Sequence, residues 1–110
     1  MSLTIDIFDH HLGAFALGVD ELLKDYDTSS VIFTNSGHSR GLEEIRTFFG
    51  NFLDSLPDDF WNDFQVLEKE VMGEVAYLVW SAKPYVALAT DTMLIRDGKI
   101  VTQTFTKFQV

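Results

Sequence analysis

Apolar residues recur along this chain with two different periods, helical in the first half and strand-like in the second. Ile5, Phe8, Leu12, Phe15 and Ala16 fall on one helical face, and this first helix is expected to end near Gly18. A second, short helix carries Asp20 and Glu21 in its first turn, where carboxylates suit the positive end of the helix dipole. Its apolar stripe is Val19, Leu22, Leu23 and Tyr26, and Asp27 to Ser30 limits it. Val31 to Thr34 has strand character, and Asn35-Ser36-Gly37 forms a turn cluster. A third helix opens at Gly41, with Glu43 and Glu44 in its first turn. Its broad stripe of Leu42, Ile45, Phe48, Phe49, Phe52, Leu53 and Leu56 stops at Pro57.

Beyond Pro57 the spacing predicts strands over about Phe64 to Val71, Val75 to Ala82, Tyr85 to Arg96 and Lys99 to Phe108. Gly73-Glu74 and Asp97-Gly98 are the hairpin turns, and the second is the stronger signal because both central positions of a type I′ turn favour those residues. Helices first and hairpin-linked strands later define an α+β class, with three helices covering one face of a curved antiparallel sheet. The other face then needs protection from water. On the last strand Thr102, Thr104 and Thr106 share one face, opposite Val101, Gln103 and Phe105. That neutral β-branched face suggests a homodimer packed sheet on sheet, although a solvated sheet also tolerates threonine.

One residue breaks the apolar pattern. Asp91 shares a strand face with Tyr85, Ala87, Ala89, Met93 and Ile95, and no other charge lies on that face. A carboxylate among apolar groups is paired, hydrogen-bonded or pushed toward its neutral form, which makes it a candidate functional group. The small Ala87 and Ala89 beside it leave room for a ligand. The structural alternative is an Asp bonded to a backbone amide or a threonine.

Length and composition bound the rest. The 110 residues fit one domain, and 46% apolar content with ten Phe favours a packed globule. Eight Lys plus Arg against seventeen Asp plus Glu give a net charge of −9, which repels nucleic-acid backbones and anionic membrane surfaces. The absence of cysteine removes disulfides, thiolate metal sites and cysteine nucleophiles. The segment Met1 to Asp6 lacks a basic region followed by an apolar run, so a cytoplasmic location is the expectation, and Met1-Ser2-Leu3 is compatible with a cloning remnant.

Histidine is the usual acid–base side chain near neutrality. His11 lies at the edge of the first apolar stripe and can reach a pocket, whereas His10 points nearly the opposite way and His38 falls in a loop. Neighbouring histidines on a helix diverge by about 100°, and no His-Glu-x-x-His or carboxylate-rich loop accompanies them, so no metal is expected. Phosphate-binding glycine loops are missing as well, and no cofactor is implied. Phe48, Phe49, Phe52, Phe60, Trp61, Phe64, Tyr77 and Trp80 suit either a deep apolar pocket or a packed core. The acidic run Asp54 to Asp63 reads as a solvated loop.

Three stretches carry a family resemblance. Gly18 to Tyr26, His38 to Phe49 and Thr90 to Ile100 resemble the nuclear transport factor 2-like superfamily, whose conical α+β fold also houses ketosteroid isomerase and SnoaL-like polyketide cyclases. The resemblance covers Phe8 to Phe108 and implies that fold, which hosts enzymes, binders and association modules alike. It places Asp91 where the isomerases hold a protonated Asp, and His11 roughly where they hold a tyrosine donor. Thr34 falls where they hold the general-base Asp, and threonine cannot take a proton from carbon at neutral pH. The implied function is a pocket for a small apolar molecule, with His11 and Asp91 as catalytic pair and Phe15, Thr34, Phe52, Trp80, Met93, Gln103 and Phe105 as lining. His11 would be base or donor while a neutral Asp91 bonds a carbonyl, as in an isomerase, cyclase or dehydratase. The alternatives are a noncatalytic binding module and a protein-association dimer.

Overall fold

A computed structural model describes residues 3–108; Met1 and Ser2 of the amino-terminal stretch lie outside it. Helix α1 (Thr4–Ala14) opens with the Asp6 carboxylate accepting the Leu3 N–H at 3.1 Å, which satisfies one of the donors a helix start leaves free. The helix ends at Ala14, earlier than expected, and three residues of turn precede Gly18. Ala16 is therefore exposed and does not belong to the buried stripe. Phe8, His11 and Ala14 are its buried residues, and they turn α1 against the sheet. Helix α2 (Val19–Leu23) follows, and Tyr26 lies beyond it, buried.

Strand β1 (Val31–Thr34) pairs with β2 (Gly37–Arg40), so the expected turn cluster is the tip of a hairpin. Helix α3 (Gly41–Ser55) buries Ile45 and Phe49, with Phe48 and Phe52 packed beside them. A single 3-10 turn, Phe60–Asn62, interrupts the acidic run and drops Phe60 into the core.

The sheet is completed by β3 (Phe64–Met72), β4 (Val75–Ala82), β5 (Val86–Arg96) and β6 (Lys99–Phe108). Its order is β2-β1-β6-β5-β4-β3, antiparallel throughout except for the parallel pair β1 and β6. Tyr85 precedes β5 and sits in the turn, its hydroxyl donating to Asp59 at 2.8 Å. Register breaks at Val66/Glu68, Trp80/Ala82 and Leu94/Ile95 bend the sheet, because each bulge adds local twist. Asp97 and Gly98 both have positive φ, 54° and 77°, as a type I′ hairpin requires. The three helices fill the concave face and leave the convex face of β4, β5 and β6 uncovered. No helix among the described residues is long and apolar enough to cross a membrane.

Candidate functional site

Between the helices and the concave face lies a cavity of about 140 Å³. Helix α1 contributes His11 and Leu12 to its wall, the turn after it contributes Phe15, and α3 contributes Phe48, Phe49 and Phe52, with Phe52 one turn beyond Phe48. The sheet supplies Leu78, Trp80, Asp91, Met93, Gln103 and Phe105, inward-facing positions of β4, β5 and β6. Phe60, Trp61, Phe64 and Val66 complete it, and Trp61 and Val66 are about half exposed, which marks the open side.

The wall is almost wholly aromatic. Trp80 and Phe105 stack with their planes 6° apart, while Phe15 meets Phe49 and Phe52 edge to face at 5.8 and 6.0 Å. Ala87 and Ala89, expected to leave space, do not line it; Ala89 pairs with Trp80 across the strands. Tyr77 lies on the convex face, because it alternates with the buried Ala76 and Leu78.

Thr34 is not a lining residue. It shares the inward phase of Ile32, but it ends β1, where its hydroxyl meets Ser36 Oγ at 3.2 Å and donates to the Gly37 carbonyl at 3.3 Å. Phe15, Phe52, Trp80, Met93, Gln103 and Phe105 do reach the cavity.

Asp91 stands at its base, 7% exposed, within a chain of buried polar groups. Trp80 Nε1 donates to one carboxylate oxygen and Gln103 Nε2 to the other, both at 2.9 Å. Gln103 Oε1 in turn accepts from the Tyr26 hydroxyl. Burial holds the Tyr26 phenol well above its ordinary range, so it stays a donor and dictates which way the Gln103 amide points. Burial pushes Asp91 up to about 6, outweighing the two donors that favour its charge.

His11 is 1% exposed and makes no hydrogen bond to Asp91. The expected pair is two separate polar points of the lining, one on α1 and one on β5. Burial, assisted by the neighbouring His10, lowers His11 to about 3, so it is neutral and too weak to serve as a base near neutrality. Its ring is held edge to face by Phe15, Tyr26 and Phe49 at 5.1 to 6.0 Å.

His10, read from the helical wheel as a surface residue, ties α1 to the residues around α2. Its Nδ1 lies 2.7 Å from Asp25 and its Nε2 2.6 Å from Glu21. Two carboxylates facing both ring nitrogens require both to be donors, so the ring is an imidazolium in this arrangement. Hydrogen bonds to Glu21 and then Asp25 raise its pKa accordingly. Asp25 itself is raised because its burial outweighs that donation. Nothing in the local sequence marks this cluster, since Asp25 and His10 are brought together only by the turn between the helices.

No protein-family model and no curated sequence matches the chain. Its architecture is similar to solved structures. An NTF-2 like protein of unknown function from Burkholderia xenovorans LB400 is 20% identical, with 97% of this chain and 84% of that one covered at a TM-score of 0.77. A SnoaL-like protein of unknown function from Burkholderia thailandensis e264 gives 15%, 96%, 94% and 0.77 for the same measures. A hypothetical protein with a ketosteroid isomerase-like fold from Catenulispora acidiphila DSM 44928, in complex with trimethylamine, gives 11%, 96%, 86% and 0.71. Likeness at this level of identity shows the fold: the chain has the nuclear transport factor 2-like α+β cone.

Proposed function

We propose that this domain binds a small hydrophobic carbonyl compound in the aromatic cavity and exchanges a proton with it through Asp91, as an isomerase, cyclase or dehydratase does. The observation that carries this reading is a carboxyl group buried at the base of an aromatic cavity, with its ionisation moved toward neutrality. In its acid form Asp91 donates to a carbonyl oxygen, and in its ionised form it takes a proton from the adjacent carbon. Neutral His11 orients the ligand and is not the base. A neighbour of the same fold, from Catenulispora acidiphila, is in complex with a small molecule, trimethylamine.

A noncatalytic binding role is favoured by one specific feature. Tyr26 and Trp80 already spend their single donors within the Asp91 chain and Gln103 spends one of its two amide N–H groups there, so few donors are left to stabilise a second developing charge. The two readings separate when aryl ketones and aromatic lactones are screened for binding and turnover with the parent, Asp91→Asn and His11→Ala. Catalysis requires that Asp91→Asn lower kcat by about 100-fold or more while affinity changes only a few-fold. Loss of affinity without any turnover in the parent assigns the binding role.

The convex face supports a second copy of the chain as partner. Thr90, Thr92, Thr102, Thr104 and Thr106 form an uncharged ladder there, with exposed Phe33, Tyr77, Leu88 and Phe108 around it. Sedimentation should find a dimer for the parent and a monomer for Thr104→Glu, which puts charge at the centre of that face. A monomeric parent at tens of micromolar rejects the dimer.

A further inference from the structure

We infer that Asp25 is a positioning residue that holds the His11 proton on Nδ1, which leaves Nε2 as a bare hydrogen-bond acceptor at the cavity wall, so that the ligand carries a hydroxyl or N–H group donating to it. The part concerning the ligand rests on the reading of the cavity as a binding site; the part concerning Asp25 does not. His11 Nδ1 is buried and has no hydrogen-bond partner. The carboxylate of Asp25 stands 4.0 Å from it, short of a hydrogen bond but close enough for its charge to act on the ring.

A neutral imidazole has two forms, and Asp25 treats them differently. With the proton on Nδ1, the positive end of the N–H faces the carboxylate; with the proton on Nε2, a lone pair faces it instead. The first arrangement is attractive and the second repulsive, so the charge selects the Nδ1–H form. Asp25 is held in place for this by His10, whose Nδ1 reaches both of its oxygens at 2.7 and 2.8 Å and whose far side is anchored on Glu21. The packed rings of Phe15, Tyr26 and Phe49 keep the imidazole from turning.

Among the described residues Nε2 has no hydrogen-bond partner and, unlike Nδ1, is not one of the buried unpartnered atoms; the cavity is the space His11 borders. A ligand carbonyl placed against it would set two acceptors face to face. A hydroxyl would be satisfied, and discrimination against its methyl ether follows from the acceptor left unpaired. The compound that fits is therefore an apolar ring system with one hydrogen-bond donor as well as the carbonyl offered to Asp91.

The test uses ¹⁵N-histidine spectra at neutral pH together with binding of 2-naphthol and 2-methoxynaphthalene. In the parent, His11 should show protonated Nδ1 and unprotonated Nε2, and naphthol should bind about tenfold more tightly than the ether. Asp25→Asn should move His11 toward the Nε2–H form and reduce that preference to about two-fold or less. His10→Gln, which leaves the Asp25 charge in place, should keep the Nδ1–H form. Protonated Nε2 in the parent overturns the inference without recourse to any variant, and so does an Asp25→Asn spectrum unchanged at His11. Equal binding of the two naphthalenes overturns the donor requirement alone. If neither binds, the cavity reading falls with it, while the spectra still judge Asp25.

Discussion

Asp91→Asn is expected to make the protein more stable above pH 6, by about 3 kcal/mol, and to abolish that gain below pH 4. The sign follows from the direction of the shift. Asp91 has a folded pKa raised from 3.8 to about 6, so the native state holds its proton where the unfolded chain has released it. Stability contributed by the protonated group is complete below 3.8 and is lost as pH rises through about 6. Asparagine stays neutral and escapes that loss. Its amide oxygen can still accept from Trp80. Urea denaturation of both proteins from pH 4 to 8 measures the difference directly. Other carboxylates cancel in the comparison. A pH-independent difference would mean that folding leaves the Asp91 pKa at its unfolded value of 3.8.

Phe8→Ala is expected to cost about 3–5 kcal/mol, a large share of the roughly 5–15 kcal/mol that holds a domain together. Phe8 is fully buried in the core where α1 meets the sheet, and the Lys69 ammonium lies 5.4 Å from its ring centroid. Removing the ring leaves a cavity beneath the helix that carries both His10 and His11. His11 and Leu12 of the cavity wall, and His10 beside them, would then lose their support, so the loss of stability should be accompanied by loss of the His10 imidazolium signature at neutral pH. Denaturant melting reads the first effect and ¹⁵N-histidine spectra the second. A cost below about 1 kcal/mol would show that α1 is not seated through Phe8.

The elements read most accurately from the chain are those with strong periodicity and a defined stop. Helix α3 opens at Gly41 as expected, and β1, β4 and β6 keep their expected limits, the last because Asp97-Gly98 dictates the turn before it. Strand alternation also placed Gln103 and Phe105 on the buried face. Strand β2 escaped notice because Gly37-His38-Ser39-Arg40 has no apolar member; it is a strand by virtue of its pairing with β1. Thr34 has the right phase but sits at a strand end, where the turn claims its hydroxyl. The wheel correctly separated His10 from His11, yet it could not show what His10 would meet. Its partners arrive through tertiary structure, eleven and fifteen residues away. The same holds for the Tyr26–Gln103–Asp91–Trp80 chain, whose members come from a loop and three strands.

The protonation of one carboxyl group is the point on which site and function both turn. A ¹³C-detected titration of the Asp91 side chain, with and without a saturating aryl ketone, measures it in isolation. A midpoint near 6 that moves higher when the ligand excludes water from the cavity is the expected result. A midpoint near 4 that the ligand leaves unmoved would contradict it.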